Sequence, residues 1–217
     1  MKGKNVYLYG ASGHAKVVID ALGSVGVEVP CLFDDNPEVG ILDGKPVVHS
    51  AAGLSPLIVS IGDCRIREMI VSRLGPVSYA TAVHRRAIVS EKASIGDGSV
   101  VLAGAIVQSG ARVGRHAIIN TGASIDHDCS IGDFVHIAPH CTLCGNVVVG
   151  KGSWIGAGTT IIQGVQIGEG CYVGAGAVVV DHLPPYTLSY GNPARVVRSL
   201  DPPGLSPASS GNSDQSE

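Results

Sequence analysis

Every sixth residue from Val89 to Val179 is Val, Ile or Leu, sixteen positions without a slip in register. Four places beyond each lies a small side chain, running from Ala93 through Ser99, Cys129, Cys141 and Cys171 to Ala177. A helix repeats its apolar face every 3.6 residues and a half-buried strand every 2, so a period of six belongs to neither. A slower period is superimposed, because Gly96, Gly114, Gly132, Gly150 and Gly168 are spaced eighteen apart. Three hexapeptides therefore make one unit, as when a chain winds around a triangular prism with one hexapeptide per side. The aliphatic residue fills the interior and the small residue passes a tight corner. The glycines are expected to supply corner conformations that other residues resist. Successive coils pair as parallel strands and stack into a solenoid. Residues 89–179 predict about five coils, about 24 Å tall at the usual strand spacing.

The first 80 residues obey another pattern. Residues 6–9 read as a buried strand ending at Gly10-Ala11-Ser12-Gly13-His14, followed by an amphipathic helix with Ala15, Val17, Val18, Ile19, Ala21 and Leu22 as its apolar residues. A second strand at 31–33 closes in Asp34-Asp35, and a third at 57–61 closes in Gly62-Asp63 before a helix over 65–74. This alternation predicts a small Rossmann-like parallel α/β domain over residues 1–80. The β-helix then occupies 81–198, with 80–88 as the link. The period stops at Leu183-Pro184-Pro185, Gly191-Asn192-Pro193-Ala194 reads as a turn, and residues 199–217 are expected to be a disordered tail.

Composition narrows the partners. Hydrophobic residues make up 45% and charged residues 15% of the 217, so most of the chain must fold. The net charge of −3 lacks the basic surplus of a nucleic-acid binder. No run reaches the eighteen apolar residues of a membrane span, and residues 1–9 lack the long apolar region of a signal peptide. A cytoplasmic location follows as an expectation, with the six cysteines reduced.

The most informative segment for chemistry is Asn120 to Cys129. Ile125 points into the prism and His127 lies two residues on, facing inward unless a corner intervenes; the sequence leaves this open. Asp128 follows directly and could orient the imidazole, which can take a proton from an attacking amine or hydroxyl. A surface histidine beside a solvated carboxylate is the equal alternative. Gly145 stands eighteen after His127, one coil above, where its N–H could meet a thioester carbonyl; a plain corner glycine is the alternative. His136 lies half a coil from His127. A zinc site drawn from His127, His136 and His140, or from Cys141 and Cys144, is disfavoured, because Cys129, Cys141 and Cys171 occupy the small-residue slot and packing explains them. Gly10 to His14 suggests a phosphate-binding loop. The full Gly-x-Gly-x-x-Gly is missing, so a hydride-transfer cofactor is disfavoured; a loop that merely caps the helix is the alternative.

The block Asn-Thr-Gly-Ala-Ser-Ile-Asp-His-Asp-Cys, the following Ile-Gly-Asp-Phe-Val-His-Ile and the N-terminal Tyr-Gly-Ala-Ser-Gly-His-Ala-Lys resemble the bacterial nucleotide-sugar acetyltransferases. These include the enzymes of bacillosamine and perosamine synthesis and the related sialic-acid O-acetyltransferases, and the resemblance spans residues 4–198. It implies a left-handed parallel β-helix, assembled as a homotrimer. It also implies acetyl transfer from acetyl-CoA, without a metal, to the 4-amino group of a nucleotide-linked amino-deoxy sugar. By this resemblance His127 is the general base and Asp128 its orienting carboxylate. Asn120 and His136 line the acetyl site, Gly145 polarises the thioester, and CoA lies between neighbouring prisms near Ile155, Ala157, Gly174 and Ala175. Gly10, Ser12, Gly13, His14, Asp34 and Asp35 hold the nucleotide, UDP being expected, with Gly62 and Arg67 near its phosphates. Two departures stand out: Asp63-Cys64, where relatives often carry an asparagine pair, and His84-Arg85-Arg86-Ala87, which carries no assigned chemistry. Acetylation of a sugar hydroxyl, or nucleotide-sugar binding without catalysis, are the alternative functions.

Overall fold

The apolar runs of the N-terminal third form β1 (Tyr7–Tyr9), α1 (Gly13–Ser24), β2 (Leu32–Phe33), β3 (Ile41–Leu42), β4 (Lys45–Val48), β5 (Leu57–Val59) and α2 (Cys64–Leu74). The structure is a computed structural model that describes residues 5–50 and 53–202. The sheet order is β3-β4-β2-β1-β5, parallel except for the antiparallel β3–β4 hairpin. Sequence reading missed that hairpin, although Asp43-Gly44 marks it. Both residues are left-handed, with φ of 52° and 71°, as tight two-residue hairpin turns require. α1 buries Ala15, Val18, Ala21 and Leu22 in one cluster with Leu8, Leu32 and Ile58 of the sheet, while Ile19 packs against its rim and Val17, also expected inside, is exposed. Ala82, Val100, Leu102 and Ile118 of the prism belong to that same cluster, so the α/β unit shares its core with the outside of the β-helix.

The chain crosses to the prism through a Leu57–Tyr79 bridge, and the coils begin at Ala82, earlier than the linker expectation placed them. Three parallel faces follow. The first starts at Ala82–Val83 and includes His136–Ile137, Trp154–Ile155 and Tyr172–Val173. The second starts at Ile88–Val89 and includes Ser124–Ile125 and Thr142–Leu143, and the third starts at Ser94–Ile95. Strands pair with a shift of eighteen residues, as in Ser124 with Thr142 and Ile125 with Leu143. The aliphatic column lies inside as expected: Val101, Ile119, Ile125, Ile137, Leu143 and Ile161 are all fully buried. Each such side chain contributes about 1.5–3 kcal/mol by leaving water. The small slot is equally closed, with Ala123, Cys129 and Cys141 fully buried.

The eighteen-residue glycines do a different job from the one expected. None of Gly96, Gly114, Gly132, Gly150 and Gly168 is left-handed. They share the edge between the third and first faces, where coils nearly touch. A Cβ on Gly132 would lie 2.7 Å from the Lys151 nitrogen, and one on Gly96 would lie 2.6 Å from the Gly114 carbonyl carbon. The left-handed corner lies three residues beyond each aliphatic position instead. It is glycine at 98, 104, 110, 122, 152, 158, 164, 170 and 176, but His116, Asp128, Phe134, His140 and Asn146 in the middle coils. His, Asp and Asn tolerate this region best among side-chain-bearing residues.

A hairpin of Thr187–Gly191 and Ala194–Ser199, turning at the cis Asn192–Pro193 bond, finishes the first face. Ser199 closes its second strand, Leu200 N–H donates to the Tyr186 carbonyl, and Arg65 donates to the Asp201 carbonyl. The packed chain thus runs past the expected tail boundary at 199, and residues 203–217 of that expected tail lie outside the described residues. Among the described residues no helix is long and apolar enough to cross a membrane.

Arg67 welds α2 to the prism edge. It is 1% exposed. Its Nε donates to the His116 carbonyl, Nη1 to those of Ile61 and Gly62, and Nη2 to that of Phe134, at 2.7–2.9 Å. The expectation that Arg67 meets phosphates is therefore corrected, because its donors are spent on main-chain oxygens of both units. Arg67→Ala leaves those carbonyls unpaired, at about 1–3 kcal/mol each. Destabilisation of at least about 3 kcal/mol is expected, lowering the thermal midpoint by roughly 6–12 °C for a chain of this size. A midpoint within about 2 °C of wild type would show that the clamp is idle.

Candidate active site

The edge between the second and third faces carries His127, Asp128 and Gly145. His127 falls in a corner, which settles its orientation: the side chain is 55% exposed, beside an Asp128 carboxylate that is 61% exposed. His127 Nδ1 donates to Asp128 Oδ2 at 2.9 Å. An ionised carboxylate can only accept, so the proton sits on Nδ1 and Nε2 keeps a free lone pair. The Asp128 hydrogen bond, with Asp126 nearby, raises the imidazole above its ordinary pKa. The backbone of the pair is held from both adjacent coils, Asp128 N–H on the Ser109 carbonyl and His127 O on Asn146 N–H. Gly145 is the next coil's residue against the ring. A Cβ there would lie 2.6 Å from both Cε1 and Nε2 of His127. Among the described residues the Gly145 N–H makes no hydrogen bond.

The carboxyl ends of β1, β2 and β5 converge on the other half of the predicted site. Ligands of parallel α/β sheets bind at this end of the strands. Gly10 is left-handed, with φ 103°, and a Cβ on it would strike Ile61. Ser12 precedes α1 with its side chain uncommitted to capping, and Gly13 is exposed with open space around it. Asp34 accepts the Ala11 and Asn36 N–H groups, tying the first loop to the second. Asp35 pairs with Arg73 at 2.7 Å and accepts from the Tyr9 hydroxyl, which Arg73 also contacts. Sequence reading passed over Tyr9 and Arg73, which looked like core and helix surface; only the fold brings them to Asp35.

His136 lies between this end and the prism. Its Nδ1 donates to the Gly62 carbonyl and its Nε2 accepts from Asn120 Nδ2, both at 3.0 Å. Both ring nitrogens are thus spent, and burial pushes its pKa down to about 4. The His14 ring is 6.2 Å away, also lowered to about 4 by burial, then by His136 and Arg67, and its Nε2 is buried without a partner. Trp154 and Tyr172 continue the column outward from His136, their rings 3° from parallel.

Of the residues expected to hold CoA, Asn120, Ala157, Gly174 and Ala175 share the edge between the first and second faces, with Ala157 and Ala175 exposed. Ile155 is a correction: it is fully buried in the prism core, since it belongs to the inward column. The rival metal ligands are scattered. Cys141 points inward, His136 faces the α/β unit, and His140 folds over Gly122 on a different edge from His127. Among the described residues no three His, Cys, Asp or Glu side chains are grouped to hold a metal, and all six cysteines are free.

His14 and His136, together with His116, whose pKa burial likewise lowers to about 4, tie stability to pH. Their native pKa of about 4 lies below the ordinary 6.5, so between those values the unfolded chain takes up protons that the native state refuses. Stability is therefore full above pH about 6.5 and falls as pH drops toward 4, by up to about 1.4 kcal/mol per pH unit for each group. Thermal melts between pH 7 and 4.5 should show this decline, and His136→Asn should make it shallower. Parallel curves for the two proteins would contradict the assignment.

The PglD N-terminal domain family matches residues 5–74, and the bacterial transferase hexapeptide family (six repeats) matches residues 146–181. Among solved structures, a histidine-to-asparagine mutant of perosamine N-acetyltransferase from Caulobacter crescentus, in complex with CoA and GDP-perosamine, is 39% identical with a TM-score of 0.85, over 90% of this chain and 97% of that one. The acetyltransferase domain of PglB from Neisseria gonorrhoeae, in complex with acetyl coenzyme A, is 36% identical with a TM-score of 0.82, over 90% and 100%. WeeI from Acinetobacter baumannii is 28% identical with a TM-score of 0.80, over 89% and 100%. Uncharacterized protein L142 of Acanthamoeba polyphaga mimivirus is 32% identical over 87 residues, 38% of this chain; the match spans 18% of that protein's length. Likeness of sequence and of both structural units across nearly the whole of the perosamine N-acetyltransferase and the PglB acetyltransferase domain means that the chain belongs to the nucleotide-sugar N-acetyltransferases of the perosamine and bacillosamine type.

Proposed function

We propose that this protein transfers the acetyl group of acetyl-CoA to the 4-amino group of a nucleotide-linked amino-deoxy sugar, with His127 as general base. The observation that carries this reading is the His127–Asp128 pair, with Nε2 free and the unbonded Gly145 N–H beside it. An amine attacks a thioester only while neutral, and Nε2 takes its proton as the new C–N bond forms. The Gly145 N–H stabilises the negative carbonyl oxygen. Collapse of the adduct breaks the C–S bond, and the proton on Nε2 passes to the departing thiolate, yielding the amide and CoA. His136 is unsuited to this role, because its lone pair already accepts from Asn120.

The nucleotide is assigned to the loops at Gly10, Ser12, Gly13, His14, Asp34 and Asp35. Support comes from the buried His14 Nε2, a polar atom that lacks a protein partner. UDP is proposed on the Asp34-Asp35 pair. CoA is assigned to the edge of Asn120, Ala157, Gly174 and Ala175. That edge and the His127 edge are separated by the packed prism interior, so one chain cannot bring them together. A closed trimer, in which the His127 edge of one copy meets the Asn120 edge of the next, satisfies both.

Thiol release from acetyl-CoA across a panel of UDP-, GDP- and dTDP-linked 4-amino sugars, with matched 4-hydroxy sugars, tests the substrate class. Turnover confined to the hydroxy acceptors would overturn it. His127→Ala should lower kcat by about 10²–10⁴-fold, the usual contribution of a positioned base, with the oligomer intact. Because the base works unprotonated and its pKa is raised, kcat/KM should fall on acidification from above pH 6.5. A flat profile from pH 5 to 8 removes His127 from the mechanism. Co-expressing His127→Ala with Asp34→Ala should restore part of the activity if sites are shared between copies; no recovery in mixed oligomers argues for a site within one chain.

A further inference from the structure

Each edge of the prism is a column in which residue i lies against residues i − 18 and i + 18. In the His127 column, Ser109 and Gly145 flank His127, while Gly110 and Asn146 flank Asp128. Asp128 is left-handed, with φ 59°, and folds back over the previous coil. A Cβ built on Gly110 would overlap Asp128 Oδ1 and stand 3.4 Å from its Cγ and 3.6 Å from its nitrogen. The other oxygen, Oδ2, is the one that accepts from His127.

The same stacking recurs elsewhere. His116 folds over Gly98, His140 over Gly122 and Tyr186 over Gly170. By contrast Gly152, Gly158, Gly164 and Gly176 are left-handed with nothing within 4 Å of a Cβ, so they serve the backbone alone. Gly110 is constrained twice, by its φ of 76° and by the carboxylate lying on it.

We infer that Gly110 is a positioning residue, whose missing side chain is the seat that holds Asp128 within reach of His127. The inference rests on the dyad reading of the proposed function. Among the described residues the Asp128 carboxylate accepts a hydrogen bond from His127 alone. The other charged group close to the imidazole is Asp126, on its own turn, which accepts the His127 N–H. The flanking residues Ser109, Gly110, Gly145 and Asn146 carry no charge. The carboxylate lies in the space that a Gly110 side chain would fill, so any Cβ there displaces it from its bond to His127.

The test is an NMR titration of the His127 imidazole, assigned with His127→Gln, alongside the pH profile of acetyl transfer. Gly110→Ala is compared with Asp128→Asn and with Gly164→Ala, which imposes the same backbone strain in the same column without a collision. Gly110→Asn, which tolerates the left-handed region better, takes its place should the alanine variant fail to fold. Gly110→Ala is expected to bring the His127 pKa down toward about 6.5, as far as Asp128→Asn does. A roughly tenfold or greater loss of kcat and an unchanged KM for acetyl-CoA should accompany it, with Gly164→Ala near wild type. If Asp128→Asn lowers that pKa and Gly110→Ala leaves it at the wild-type value, Gly110 does not position the dyad. If the pKa falls in both variants while turnover is unchanged, the seat stands and the assignment of His127 as base fails.

Discussion

The structure depends on one constraint: coils of eighteen residues, stacked as parallel strands about 4.8 Å apart, must turn three corners each. From residue 98 to residue 176 every corner takes a left-handed residue, and every column must accommodate what lies one coil before and after. Glycine meets the first demand most cheaply, and the early and late coils use it throughout. In the middle coils the corner residue is His116, Asp128, Phe134, His140 or Asn146. Left-handed backbone on a side-chain-bearing residue costs of order 1–2 kcal/mol. The cost falls where polar chemistry is concentrated, and at Asp128 it sets the carboxylate beside the neighbouring imidazole. Functional geometry here is a by-product of solving the corner with a side chain.

The second dependence is the seam between the α/β unit and the first face. Arg67 reads main-chain carbonyls on both sides, while His136 bonds Gly62 of one unit and Asn120 of the other through its two ring nitrogens. These contacts are direct and buried, and the apolar cluster of Leu8, Ile58, Val100 and Ile118 is continuous across them. The carboxyl end of the parallel sheet is therefore held at a fixed place above His136 and Trp154. Burial leaves His14 and His136 neutral, so the buried charge of the seam is Arg67, with the Glu68–Lys151 ion pair at its partly exposed rim.

How far all this could be read from the sequence depends on whether a signal repeats. The prism was legible because the aliphatic and small positions recur sixteen and fifteen times, and both columns are inside. His127 and Asp128 were legible as neighbours in the chain, but the ring's direction was not, since it turns on a corner whose phase the aliphatic count alone does not give. Arg67 misled because the family resemblance placed it near the phosphates, and only three-dimensional proximity to His116 and Phe134 shows its donors consumed. Ile155 was misassigned despite belonging to the inward column, where the register itself argued against a cofactor contact. The β3–β4 hairpin was marked by Asp43-Gly44 but was too short to show an alternating pattern. Tyr9, Arg73 and Asp35 are brought together by tertiary structure and leave no local trace.

The exposure of the dyad bears on what a single chain can accomplish. With His127 and Asp128 each more than half open, an acyl group presented there would meet water as readily as an amine. Acyl transfer to a chosen acceptor needs water excluded and the donor, acceptor and base oriented together. Within one prism the His127 edge and the Asn120 edge lie a face apart, and the Gly10 and Asp34 loops sit over the first face; the packed aliphatic interior closes every direct path between them. No side-chain motion bridges that separation, because the intervening core is fully packed. A neighbouring prism set edge to edge would cover the dyad, bring a second edge to it and define a cleft, in a single step. On the proposed reading the catalytic unit would be the contact between copies, with the fold of one chain supplying two different halves of it.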